Sequence, residues 1–270
     1  MSTSQHTFSR GNYWFTQLAS GARHVSGLCA SVKAADGKLG EHDVRYIVVI
    51  PDAENRYPRA AAGEVGLLEG WTLAKVVSQV IDQDADKAVK RAIVAIIDVP
   101  SQAYGRREEA FGIHQSLAGA AGAYAKARLA GHPIVGLIVG KAMSGAFLAH
   151  GYQANKLIAF NNPGVMIHAM GKESAARITL RSVEALEKLA AEVPPMAYDI
   201  ENYATLGLLS QLMDISNPEN PTEAEIAKVK SVVDESISEI VLQGVYLSNR
   251  LGADNRASSS KVRELMREQW

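Results

Sequence analysis
The chain has 270 residues, 47% of them hydrophobic, with 28 basic against 29 acidic side chains and a formal net charge of -1. That balance creates no global field to hold nucleic acid or an anionic membrane surface, and a single cysteine, Cys29, excludes an internal disulfide framework. No apolar stretch approaches the roughly 20 residues of a membrane helix, and the opening MSTSQHTFSRGNYWF lacks an apolar signal core, so the expectation is a soluble protein of the reducing cytoplasm.

In chain order, residues 1–10 are polar and expected to be disordered. VRYIVVIPD (44–52) is a β-branched, apolar run closed by a proline and predicts a buried strand. In AAAGEVGLLEGWTLAKVVSQVIDQD, the spacing of Leu68, Trp71, Leu73, Val76, Val77 and Val80 predicts a helix. RAIVAIIDVP (91–100) predicts a second strand, followed by a loop with Ser101, Tyr104 and Gly105. One long helix is expected from near Glu108 to Ala130, with Leu117, Ala121 and Tyr124 on one face, before His132-Pro133.

Ile134 to Val139 predicts a third strand, Lys141 to Ala146 a small-residue turn, and Ser144 the start of a helix reaching about Tyr152. KLIAF and GVMIHAM are a fourth and fifth short apolar run. Near-continuous apolar strands alternating with helices argue for a parallel sheet covered by helices, an α/β domain over 1–270. SVEALEKLAAEV is amphipathic and stops at Pro194-Pro195. Residues 216–270 read as a helical C-terminal part, where Thr222 and Glu225 stand at capping-box spacing ahead of an Ile226, Val229, Val233, Ile237, Val241 stripe.

Two loops carry the chemistry. Beyond the third strand, Ser144, Gly145 and Ala146 would present free N–H groups at a helix start, and Gly145 has no Cβ to keep an oxygen away. Such donors stabilise an oxyanion, one donor contributing about 2.7–4 kcal/mol to a barrier. Close helix–sheet packing selects the same small residues, so this stretch alone leaves both readings open. GLIVGKA lacks the glycine spacing and the Ser or Thr of a phosphate loop. AMSGA has Ala142 and Ala146 where a serine nucleophile elbow has glycines, so a serine hydrolase using His150, His168 or Asp199 stays a weak alternative. The second loop, IIDVPSQAYG, repeats the plan of strand, small turn and helix one helix earlier.

Together, DVPSQAYG and GHPIVGLIVGKAMSGAFLAHG resemble the carboxyltransferase half of acyl-CoA carboxylases, of the crotonase (ClpP/crotonase) type. The match is closer to the gamma subunit of biotin-independent malonate decarboxylase, through SGAFLAHGYQANKLIAFNNPGVMIHAMGKESAARITLRSVEALEKLA and PPMAYDIENYATLGLL, over about residues 10–215. Ser101 and Tyr104 replace a glycine and a proline of the carboxyltransferase pattern, and Ser144-Gly145 replaces a glycine pair.

The resemblance implies a carboxyltransferase-type fold and an active site shared with a homologous beta subunit. It implies a malonyl thioester on the phosphopantetheine-type arm of an acyl carrier protein, loaded by an acyl carrier protein transferase subunit. No metal and no bound cofactor are implied. Loss of CO2 would leave an enolate whose thioester oxygen the beta subunit holds, while the departing carboxylate end would be held on this chain by the N–H groups of Gly145 and Ala146, by Ser144 and by the Ala103–Gly105 turn. Ser101, Gln102, Ala103 and Met143 would contact substrate, and Tyr104 or His168 would supply the proton. Arg106 and Arg107 would attract a carboxylate or phosphate, or simply be solvated. Transfer of the carboxyl group to biotin, or a non-catalytic scaffold role, are the alternatives that the same resemblance leaves open.

Overall fold
The computed structural model describes residues 8–251 and 253–270. The chain enters through helix α1 (Arg10–Leu18) and a hairpin-linked set of strands, β1 (Arg23–His24), β2 (Val32–Leu39) and β3 (His42–Val49). Helix α2 (Leu67–Gln83), strand β4 (Ala92–Val99), helices α3 (Arg106–Ala110) and α4 (Ile113–Leu129), strand β5 (Ile134–Met143), helix α5 (Ser144–Ala149) and strands β6 (Lys156–Asn161) and β7 (Met166–His168) follow. The remainder is α6 (Lys172–Ile178), α7 (Val183–Glu192), α8 (Ile200–Ala204), β8 (Gln211–Asp214), α9 (Glu223–Gln243) and α10 (Ala257–Gln269).

The strands form one sheet in the order β1-β2-β3-β4-β5-β6-β8, with β7 beside the far end of β5. From β3 to β8 all pairings are parallel, as the apolar runs predict; β1, β2 and β3 pair antiparallel and make the sheet mixed. Opposite side-chain directions along β3 place helices on both faces. The Arg45 guanidinium reaches the Val76 carbonyl of α2 at 2.9 Å, whereas Val48 packs beneath Gly11 of α1.

Disorder was expected over 1–10. Residues 1–7 lie outside the described residues, but Ser9 and Arg10 are ordered. Ser9 caps α1, accepting from the Asn12 N–H. Arg10 donates to the Val139 carbonyl at 3.0 Å and pairs with Glu219. Trp14 is fully buried and donates its Nε1–H to the Pro218 carbonyl at 2.8 Å. Tertiary contacts thus hold a terminus whose local composition is polar.

The long helix expected after Glu108 is two helices, because Gly112 takes a left-handed φ of 79° between α3 and α4. A glycine is the residue that does this without a steric cost. Of the predicted α2 face, Leu73, Val76, Val77 and Val80 are buried, but Trp71 is half exposed and lies across Gly119 of α4. A Cβ on Gly70 would fall 2.2 Å from the Ser116 hydroxyl, so the small residues facing each other on α2 and α4 serve close helix packing. Leu117 and Ala121 are only partly buried, the inner face of α4 being Ile113, Ser116, Ala120, Ala123, Tyr124 and Ala127. The capping box at Thr222 and Glu225 forms as predicted. Ile240 rather than Val241 completes the α9 stripe, Val241 being 59% exposed.

Candidate active site
Strand register decides which loops meet. A bulge between Ile97 and Val99 brings Val99 level with Ala142, so the ends of β4 and β5 lie side by side. β7 continues on the other edge of β5, with His168 level with Met143. Three chain segments therefore converge beyond the carboxyl ends of the strands, where open parallel sheets place their ligands.

The expected Lys141–Ala146 turn is not a turn. β5 stays extended through Met143 and passes directly into α5 at Ser144. The whole reversal is taken by one residue: Ser144 has φ 50°, and with Leu180 it is one of two non-glycine residues at positive φ among the described residues. Such a backbone costs about 1–3 kcal/mol unless the surroundings hold it. The neighbouring loop does hold it. The Ser144 Oγ accepts from the Gln102 N–H at 3.2 Å and lies 3.4 Å from the Ser101 Oγ. In return the Gly145 N–H donates to the Gln102 Oε1 at 3.1 Å. A Cβ on Gly145 would sit 2.2 Å from that oxygen, which gives this glycine a steric reason.

The Ser101–Gly105 loop is built differently. It runs alongside Val65, whose N–H donates to the Ser101 carbonyl at 3.0 Å and whose carbonyl accepts from the Ala103 N–H at 2.8 Å. The Tyr104 N–H donates to the Gln102 carbonyl at 2.9 Å. Two of the donors expected to face a substrate are thus engaged within the protein. Ala103 is fully buried. Tyr104 is exposed, with its ring beneath the Arg59 guanidinium 5.3 Å away. Gly105 is extended at φ -156° and only precedes α3.

A cavity of about 350 Å³ opens at the β5–α5 junction. Ser144, Gly145 and His168 line it together with Phe147, Tyr152 and Tyr203. Its wall is mainly apolar, which strengthens any hydrogen bond made inside it. Ser101 and Gln102 reach the site through Ser144 and Gly145, whereas Ala103, Tyr104, Gly105 and Ala146 are not in the cavity wall. Nor is Met143, whose side chain is buried with Ala175, Ala176, Leu186 and Tyr198.

His168 stacks on Tyr198 with ring centroids 3.9 Å apart. Its Nδ1 lies 3.1 Å from the Met170 carbonyl oxygen and 3.3 Å from the Met170 N–H. Burial pulls its pKa below the ordinary histidine value, the Met170 carbonyl opposing this in part. The ring is therefore neutral near pH 7, with Nδ1 occupied by the backbone and Nε2 left for a ligand. His150, by contrast, is fully buried, bonded to the Tyr124 hydroxyl and the Ile96 carbonyl. Neither histidine is hydrogen-bonded to Ser144, although the positive φ there resembles a nucleophile elbow.

The sequence reading missed Tyr152, Tyr203, Pro195 and Ala197 of the wall. They come from the segments KLIAF follows and PPMAYDIENYATLGLL contains, and only the family-like character of those segments pointed to them.

A family model described as malonate decarboxylase gamma subunit matches residues 60–270. The chain is 35% identical over 207 residues to a malonyl-S-ACP:biotin-protein carboxyltransferase of Malonomonas rubra, covering 75% of this chain and 68% of that one. It is similar to a chain of the Pseudomonas malonate decarboxylase hetero-tetramer in complex with coenzyme A, at 58% identity and a TM-score of 0.94, covering 97% of this chain and 100% of that one. It is similar at 55% identity, with a TM-score of 0.90 over the same shares, to a chain of the Pseudomonas malonate decarboxylase MdcD-MdcE hetero-dimer. Transcarboxylase 12S, at 17% identity and a TM-score of 0.65 over 88% of this chain and 43% of that one, shares the fold. The chain therefore belongs to the malonate decarboxylase gamma subunit family and has its carboxyltransferase-type, crotonase-like α/β fold with a helical C-terminal part.

Proposed function
We propose that this gamma subunit supplies one half of an active site whose other half is a homologous beta subunit, and that the pair decarboxylates a malonyl thioester. The substrate is carried on the phosphopantetheine-type arm of an acyl carrier protein, loaded by an acyl carrier protein transferase subunit, in the cytoplasm. The C–C bond to the carboxylate breaks, its electron pair stays on the thioester side as an enolate, and a proton added to that carbon yields the acetyl thioester. Preorganised N–H donors lower this barrier by stabilising charge that develops on oxygen. The beta subunit holds the thioester oxygen and this chain holds the departing carboxylate.

The observation that carries this reading is the Ser144–Gly145 junction opening on an apolar cavity with His168. In the free chain the Gln102 Oε1 occupies the Gly145 N–H as a substrate oxygen would. Swinging that side chain aside frees the donor. His168, on the cavity wall, gives its Nε2 proton to the enolate carbon and takes one back from a solvent water, which leaves as hydroxide, while the Met170 N–H holds Nδ1. Tyr104 lies outside the wall, which argues against it as donor.

A second reading rests on the Malonomonas relative: transfer of the carboxyl group to biotin. The test is CO2 release from a malonyl thioester by the chain co-expressed with its beta partner, with and without avidin. Avidin-insensitive release that needs both chains supports decarboxylation. Release only with an added biotinylated carrier supports transfer. A stable complex that releases nothing under either condition supports a scaffold role.

A further inference from the structure
Three arginines converge on a second pocket that shares two walls with the candidate active site. Arg250, Arg256 and Arg263 line it, with Tyr152, Gln153 and Leu208. Tyr152 and Leu208 are also wall residues of the acyl cavity, so the two pockets adjoin. Arg250 is 7% exposed. Its guanidinium lies 4.7 Å from the centroid of the Tyr152 ring and donates to the Tyr152 and Ala154 carbonyls at 2.7 and 2.9 Å. Arg256 donates to the Arg250 carbonyl at 2.8 Å. Arg263 stands on the exposed helix α10.

None of the three forms a salt bridge among the described residues, although Asp254 and Glu264 are close in sequence. Carbonyl oxygens satisfy donors but cancel no charge. A buried guanidinium is normally retained where an anion pairs with it. Two further arginines beside it make that need greater, because each raises the local potential. Three planar forks around one small pocket suit a tetrahedral anion, which accepts several charge-assisted hydrogen bonds at once.

From this arrangement we infer that the Arg250–Arg256–Arg263 pocket binds a phosphate group, and that the phosphate is the one on the carrier arm whose malonyl carboxylate lies in the Ser144 cavity. The inference rests on the reading of the cavity as the site of the malonyl carboxylate. It adds a subsite on this chain that fixes the arm at its phosphate end while the acyl end is free to react. Tyr152 forms the partition between the two ends, with its ring stacked on the guanidinium.

The test uses the complex with the beta partner and two synthetic substrates, malonyl-pantetheine without phosphate and malonyl-phosphopantetheine with it. The unmodified complex is expected to show a KM about tenfold or more lower for the phosphorylated substrate. Arg263→Ala raises that KM about tenfold and leaves the KM for malonyl-pantetheine unchanged. Arg263→Lys recovers part of the loss. Equal effects on both substrates, or on neither, overturn the subsite.

Calorimetric titration with phosphopantetheine and with inorganic phosphate separates the sources. Phosphopantetheine binding lost in Arg256→Ala/Arg263→Ala supports the carrier arm. Inorganic phosphate binding that depends on these arginines, with phosphopantetheine binding unaffected, overturns it in favour of a free anion site. Because calorimetry needs no turnover, a complex that binds phosphopantetheine but releases no CO2 sinks the decarboxylase reading and leaves the phosphate pocket standing.

Discussion
The two strand-to-helix junctions, after β4 and after β5, look alike in sequence and differ in what they offer a ligand. Each follows a buried strand, contains small residues and leads into a helix. After β4 the chain spends its donors on itself: the Ala103 and Tyr104 N–H groups bond to Val65 and Gln102 carbonyls, and no residue of the Ser101–Gly105 loop takes a positive φ. After β5 the chain turns at one strained residue, Ser144, and opens on a cavity. The first junction braces the second, since Gln102 supplies both a donor to Ser144 and an acceptor to Gly145. Small residues alone therefore do not mark a site; strain held by a neighbouring loop does so better.

The largest expected effect comes from filling the second junction. Gly145→Val places methyl groups where Gln102 and a substrate oxygen compete, and turnover of the complex should fall by about 10²–10³-fold. Size-exclusion chromatography should still show the two chains together. Loss of assembly with the residual complex fully active would instead make the junction structural. Next in size, His168→Gln should lower kcat by about 10²-fold or more with KM little changed, the range typical of a lost general acid or base. A kcat within threefold of the unmodified complex would remove His168 from the reaction.

A pH titration tests how firmly the two junctions are tied. His150 ends α5 and bonds to the Ile96 carbonyl of β4 and to Tyr124 of α4. Burial drops its pKa from 6.5 to about 4, the Ile96 carbonyl opposing in part. The unfolded state thus binds a proton before the folded state does. Stability from the neutral ring is complete above about 6.5 and is lost progressively as pH falls towards about 4, by an order of 1–3 kcal/mol. Denaturant melts at pH 7 and pH 4.5 measure this, and His150→Gln should flatten the difference. If the slope survives that substitution, other groups carry it.

The smallest effect belongs to the first junction. Gly105→Ala should change kcat by less than about threefold, because its φ of -156° suits any residue and the atoms nearest its new Cβ belong to the end of the Glu108 side chain. A loss as large as that of Gly145→Val would erase the distinction between the junctions.

Much of this was legible in the chain itself. The strands β3, β4, β5 and β6 are apolar runs whose burial on both faces leaves few alternatives. The small-residue stretch at Ser144–Gly145 and the histidine in GVMIHAM were visible because unusual composition stands out locally. β2 was not, since VKAADGKL is half polar and is extended only because β3 pairs with it from Val32 to Leu39. Tyr203 and Tyr152 were invisible as site residues, because nothing near them in sequence says which wall they form.

By itself, then, the sequence determined the parallel core, the helical C-terminal part and the family, because hydrophobic period and local motif are properties of neighbouring residues. Only the tertiary structure decided that Ser144 carries the turn, that Gln102 meets the Gly145 N–H, and that Arg250, Arg256 and Arg263 line a pocket beside the Ser144 cavity. The first two depend on the register of β4 against β5, which a one-residue shift would have undone, and all three depend on contacts between residues far apart in the chain.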